Sequence, residues 1–258
     1  MSAETFKLSL NRKKVVRNIF LFLLAIEIIV VVLDLTITHG RLIELKPIRR
    51  FLNMTKEESV GTWVSVMLFF FISLQCLIIF YFKDMHKTWM RRYDWLVFSV
   101  FFSYLSMDDA ARMHERLGTS FSIYAKSLKK AGDEGLIVWL HSNFPSYYWQ
   151  LIYGPFLILL GGAFFLKLWF DYRDNFLRTL LVAGYGILAF SQALDYFEGL
   201  GSGYQTVRAI FDVNKTTGGH FQKVIEEFLE MFGMTLVLIS LTSHFLRKTE
   251  KIEIKVEN

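Results

Sequence analysis

Six apolar runs divide the chain, each close to the roughly 20 residues that carry a helix across a hydrocarbon core. They cover about Asn18 to Ile37, Gly61 to Phe82, Trp95 to Leu117, Tyr148 to Phe170, Leu177 to Leu200 and Lys223 to Leu246. The pattern predicts an all-α, polytopic integral membrane protein of six transmembrane helices, set in the cell membrane. Residues 18–246 form its one domain, with outer loops near 38–60, 118–147 and 201–222 and tails at 1–17 and 247–258.

Composition agrees with a lipid setting. The 258 residues are 53% hydrophobic and 17% aromatic, with 26 Phe and 3 Pro, and their 21% charged residues fall below the share of about 25% usual in soluble domains. The single cysteine, Cys76, excludes a disulfide framework within the chain. Arg12, Lys13, Lys14 and Arg17 lead into the first run as they would in a signal peptide. That run is long, however, contains Glu27 and Asp34, and is followed by no small-x-small cleavage site, so it reads as a retained span.

Basic residues near the span ends set orientation. With both tails cytoplasmic, 16 Lys and Arg lie on short cytoplasmic segments, among them Lys83, Lys87, Arg91 and Arg92, and 13 lie on the longer outer ones. Five tryptophans, Trp63, Trp89, Trp95, Trp149 and Trp169, fall at span boundaries, where an indole prefers to sit. Trp139 falls instead in the apolar stretch Gly135 to Leu140, which reads as a short interfacial segment.

The less apolar runs owe their charge to three acidic clusters: Asp108-Asp109 continuing to His114-Glu115, Asp195 with Glu198, and Glu226-Glu227 with Glu230. An ionised carboxylate in hydrocarbon costs at least about 2.5 kcal/mol, so each needs a partner. Spans three and five run outward and reach their acids late, whereas span six runs inward and starts with them. All three clusters therefore belong to one outer layer, which Asp34 joins near the end of span one.

Helical phase sorts the side chains in that layer. Asp108 and Glu115 are seven residues apart and nearly in line, with Arg112 four residues after Asp108 as a pairing partner. His114 is expected about 120° away from Asp108. Ser191, Asp195, Glu198 and Ser202 form one polar stripe, and Glu230 lies on the face of Glu226 and Glu227. Glu27, in mid-span, reads as a hydrogen-bond partner between helices.

Carboxylates from several helices, with an imidazole nearby, suit a divalent metal of the zinc, iron or manganese kind. Asp108, Glu115, Asp195, Glu198, Glu226 and Glu230 are the expected ligands. Asp109, Arg112, His114, Glu227 and Asp34 are supporting groups or alternative ligands. The Glu-x-x-His pairs of ferritin-like di-iron proteins are missing, since Ala111 stands three residues before His114.

Three functions fit these residues. One is a metal-dependent enzyme acting on a lipid or another small molecule delivered by the membrane. The second is a cation or proton-coupled transporter or channel, which needs polar groups continuing through the cytoplasmic half, where Leu, Ile, Phe and Val dominate. The third is a structural or signalling protein whose acids only fix helix packing.

No phosphate-binding loop, nucleophile elbow or Cys-x-x-Cys motif is present, and the formal charge of +5 suits anionic lipid rather than nucleic acid. Gly199, Gly201 and Gly203 read as turn residues, and the Asn53 and Asn214 triplets match the glycosylation signal. Thr119 to Pro145 reads as a connector or lid over the acidic layer, and Lys248 to Asn258 as a disordered end.

Overall fold

The computed structural model describes residues 5–8, 11–82, 89–200, 204, 205, 209, 212, 214–248 and 252–255. Its helices are α1 (Arg12–Leu33), α2 (Lys46–Leu52), α3 (Val60–Tyr81), α4 (Trp89–Ala111), α5 (Met113–Lys130), α6 (Leu136–Asn143), α7 (Tyr148–Asp171), α8 (Asn175–Gly199) and α9 (Lys215–Lys248). Lys83, Lys87, Gly201, Ser202 and Gly203 lie outside the described residues.

Local chemistry sets several of these boundaries. Asn11 caps α1, Ser59 caps α3 by accepting from the Thr62 amide at 3.3 Å, and Asp174 caps α8 by accepting from the Phe176 amide at 2.7 Å. Beyond α1 the chain continues in wider π-helical turns over Asp34–His39.

Among the described residues, four helical segments are long and apolar enough to cross a bilayer: Arg12–His39, Val60–Tyr81, Tyr148–Asp171 and Asn175–Gly199. Their outward residues include Ile158 at 77% exposure and Phe170 at 76%, a surface that suits hydrocarbon better than water.

The central helix is α9, packed on α8, α1 and α3, while α4 lies along α3. Met231, Met234, Val237, Leu241 and Phe245 of α9 are buried among Leu181, Phe164, Leu168, Ile72 and Trp95. Close approach of α8 and α9 depends on glycine. A Cβ on Gly184 would lie 3.0 Å from the Gly233 carbonyl oxygen, and one on Gly233 would lie 2.8 Å from Leu188 Cγ.

Two polar residues buried in the bundle pair with each other, as the sequence predicts for Glu27. Thr235 Oγ1 of α9 donates to Glu27 Oε1 of α1 at 2.5 Å, so this mid-span carboxyl is a contact between helices.

Two expectations need correction. The third run does not continue as one helix to Leu117: Arg112 takes left-handed backbone angles, φ 54° and ψ 43°, which end α4 and send α5 off in a new direction. The connector Thr119 to Pro145 is built mainly of the amphipathic helix α5 and the short helix α6, which exposes Leu136 and Trp139. At the chain end, Ile252–Lys255 pairs antiparallel with Thr5–Leu8, because Ile-Glu-Ile-Lys alternates with the period of a strand.

Candidate functional site

The C-terminal ends of α4 and α8, the start of α5, the start of α7 and the first turns of α9 surround one cavity of about 1060 Å³. Among the described residues, nine carboxyl groups line it: Glu57, Asp108, Asp109, Glu115, Asp195, Glu198, Glu226, Glu227 and Glu230. Three lysines, Lys56, Lys126 and Lys223, and two histidines, His114 and His220, share the wall. Among the described residues carboxylates far outnumber fixed cations, a balance met in a folded protein by protons or by bound cations.

One group of acids converges most closely. A carboxylate oxygen from each of Asp195, Glu198 and Glu226 lies within 4.8 Å of the others. Lys223 Nζ sits against them, 2.6 Å from Glu226 Oε1, 3.6 Å from Asp195 Oδ1 and 4.0 Å from Glu198 Oε2, and it is also 3.7 Å from Glu227 Oε1. Gln150 Nε2 donates to Asp195 Oδ2 at 2.8 Å, and Ser191 Oγ donates to the Glu226 carbonyl at 3.1 Å. Glu226 is only 4% exposed, yet its Oε2 has no hydrogen-bond partner among the described residues. A buried carboxylate oxygen left this way costs free energy unless something else meets it.

Asp108 has a different role from the one its spacing predicts. Its Oδ1 accepts from the His114 amide at 2.8 Å, and its Oδ2 lies 2.8 Å from His114 Nδ1. The left-handed turn at Arg112 folds His114 back onto the carboxylate, which caps the start of α5 and orients the imidazole together. The expected 120° separation assumed a continuous helix and is overturned. So are the alignment of Asp108 with Glu115 and the pairing of Arg112 with Asp108: Arg112 Nε instead pairs with Glu57 Oε2 at 3.2 Å.

Trp149 packs edge-on against the His114 ring at 4.9 Å between centroids. Gly118 permits this, since a Cβ there would come within 2.7 Å of the Trp149 amide nitrogen. Burial alone would lower the His114 pKa, but the hydrogen bond and charge of Asp108, with Glu115 and Asp109 beyond it, outweigh burial and hold the imidazole above its ordinary value.

Asp34 forms a second pair of the same kind. Its Oδ1 accepts from the Met54 amide at 3.0 Å and its Oδ2 meets His220 Nε2 at 2.7 Å, while His39 stacks on the His220 ring. Both carboxylate oxygens are engaged, so Asp34 reaches the cavity only through His220.

Glu57, in the segment between α2 and α3, is a site residue that sequence reasoning missed. Burial and the neighbouring charge of Glu115 push its pKa up, against the pull of Arg112. No periodicity distinguishes Glu57 from its loop neighbour Glu58, which pairs with Arg50 instead. Lys223 was also missed, although its spacing three and four residues before Glu226 and Glu227 places it on their helix face. Across the cavity, burial and the charges of Glu198 and Asp195 push the Tyr147 phenol up to about 12.

The opposite half of the bundle holds a buried aromatic cluster. Trp95, Phe98, Phe102, Phe164 and Leu168 pack together there, and the buried hydroxyls Ser73 and Tyr172 are hydrogen-bonded within the protein.

A family model described as a domain of unknown function (DUF8692) matches residues 22–245. No curated protein sequence and no solved structure shows significant similarity to the chain.

Proposed function

Because the chain belongs to the DUF8692 family, whose description assigns no chemistry, we propose an activity from the site itself: a membrane-embedded, divalent-metal-dependent enzyme acting on a membrane-delivered substrate. The observation that carries this reading is the unpartnered Glu226 Oε2, buried beside the converging oxygens of Asp195 and Glu198. Oxygen donors on two helices match a hard or borderline cation such as manganese, iron or zinc.

In this reading α4 and α9 also cross the bilayer, giving six spans, with the cavity toward the non-cytoplasmic face and both chain ends cytoplasmic. At 1.5 Å per residue they are about 34 and 51 Å long, enough for a crossing. Their lower mean hydropathy has a physical reason: α9 is ringed by other helices and α4 carries site residues, so neither needs a wholly apolar surface.

A metal at Asp195, Glu198 and Glu226 would supply Lewis-acid activation of water or of a substrate oxygen. Asp108 fixes the His114 ring, leaving Nε2 for proton transfer within the cavity. Phe69, Leu105 and Leu157 add an apolar wall, so the volume suits an amphiphile or other small molecule with a polar head. The aromatic packing of the opposite half favours this chemistry over a transport path, which would need a continuous polar route between the two faces.

Elemental analysis of the purified full-length protein tests the proposal. It is expected to retain a transition metal, and Asp195→Ala and Glu226→Ala to lose it. Metal-free protein whose thermal stability does not change on adding Mn²⁺ or Zn²⁺ contradicts the proposal.

A further inference from the structure

We infer that Lys223 is the built-in counterion of the carboxylate site and competes with the divalent cation for it, so that metal binding requires the ammonium to leave Asp195, Glu198 and Glu226 for Glu227. The inference rests on the metal reading above and concerns how that site is held ready and loaded.

The contacts of Nζ carry the argument. The three carboxylates whose oxygens gather within 4.8 Å are all contacted by this ammonium, with Glu226 Oε1 nearest at 2.6 Å. A cation ligated by these oxygens would share their small space with Nζ, and two positive centres there repel. Metal and ammonium are therefore alternatives.

A route out is present. The side chain of Lys223 is 22% exposed, lines the cavity and has a flexible four-carbon stem. Glu227 Oε1, already 3.7 Å from Nζ, stands outside the close group of three and four residues along the same helix. The change of partner needs side-chain rotation and leaves the backbone of α9 in place.

The device has a physical purpose. Several carboxylates held close without a cation repel one another, and the metal-free site would open or take up protons. One ammonium on the same helix keeps the ligands gathered. Because it brings a single charge to several acids, a divalent ion can displace it.

The test uses full-length protein purified in detergent and stripped of metal with a chelator, with Mn²⁺ as the probe. Affinity is measured by calorimetric titration and thermal stability by intrinsic fluorescence. Lys223→Met is expected to bind Mn²⁺ about tenfold more tightly than wild type. Its metal-free form is expected to melt at lower temperature, with Mn²⁺ restoring the loss. Lys223→Gln, which keeps a polar head and is the milder change should the methionine variant fail to fold, is expected to tighten binding in the same direction. Lys223→Arg keeps the charge and is expected to bind no more tightly than wild type.

Equal or weaker Mn²⁺ binding in the folded Met or Gln variant overturns the inference and leaves the metal site standing. Absence of Mn²⁺ binding from wild type and both neutral variants overturns the metal reading itself.

Discussion

Replacing Asp108 tests the joint between α4 and α5. The carboxylate is 6% exposed and does two things: it accepts the His114 amide at the start of α5 and it holds the His114 ring. Loss of a helix cap costs about 0.5–2 kcal/mol. Leaving a part-buried imidazole N–H without its acceptor costs about 1–3 kcal/mol. Allowing for overlap between the two, Asp108→Ala should destabilise the protein by about 2–4 kcal/mol. Asp108→Asn keeps an oxygen for the amide and loses the charge, so its cost should be near 1–2 kcal/mol.

The pH dependence separates the two contributions. The folded His114 pKa lies above its unfolded value of about 6.5, so the stability from the charged pair is full below that pH. It is lost as pH rises through the folded value. The gap between wild type and Asp108→Asn should therefore be largest near pH 6 and shrink by pH 9, whereas the capping loss in Asp108→Ala should persist. The assay is unfolding in mixed detergent micelles with increasing denaturing detergent, followed by tryptophan fluorescence at both pH values. An Asp108→Ala variant within about 0.5 kcal/mol of wild type refutes the capping role, and a gap for Asp108→Asn that ignores pH refutes the ion pair.

The same assay checks three further sites. Thr235→Val removes the donor to the fully buried Glu27 carboxyl and should cost about 1–3 kcal/mol, whereas replacing both partners, Glu27→Leu with Thr235→Val, should recover most of that loss. Gly233→Leu forces α8 and α9 apart at Leu188 and should lower the unfolding free energy more than the same change at Gly186, where an added Cβ meets nothing within 4 Å. In metal-free protein the raised pKa of Glu57 means that this residue loses favour as pH rises from its unfolded value near 4.3 through its folded one. Glu57→Gln should consequently stabilise at pH 8 relative to wild type and make no difference near pH 4.

Much of the helical framework was legible because span length and apolarity are dictated by the bilayer. Val60–Tyr81, Tyr148–Asp171 and Asn175–Gly199 each begin and end within two residues of the apolar runs that announce them. Acids of α4, α8 and α9 that the sequence grouped in one layer do line one cavity, because each cluster stands near an end of its helix. The break at Arg112 was not, since neither glycine nor proline marks it and the cost of a left-handed arginine is met by tertiary contacts such as Glu57. With that break unseen, helical phase misplaced His114 and Glu115 relative to Asp108. Lys223 carries no sequence signal of its own, because a lysine at the margin of an apolar run looks the same whether it faces lipid headgroups or neighbouring carboxylates.

A crystal of the full-length protein equilibrated with Mn²⁺ and measured at a wavelength where manganese scatters anomalously addresses the metal claim most directly. The account predicts an anomalous peak about 2.0–2.4 Å from oxygens of Asp195, Glu198 and Glu226, lost in Glu226→Gln, with Lys223 Nζ turned toward Glu227. An anomalous map with no peak among these carboxylates at saturating Mn²⁺, and Lys223 Nζ still against Glu226, would contradict it.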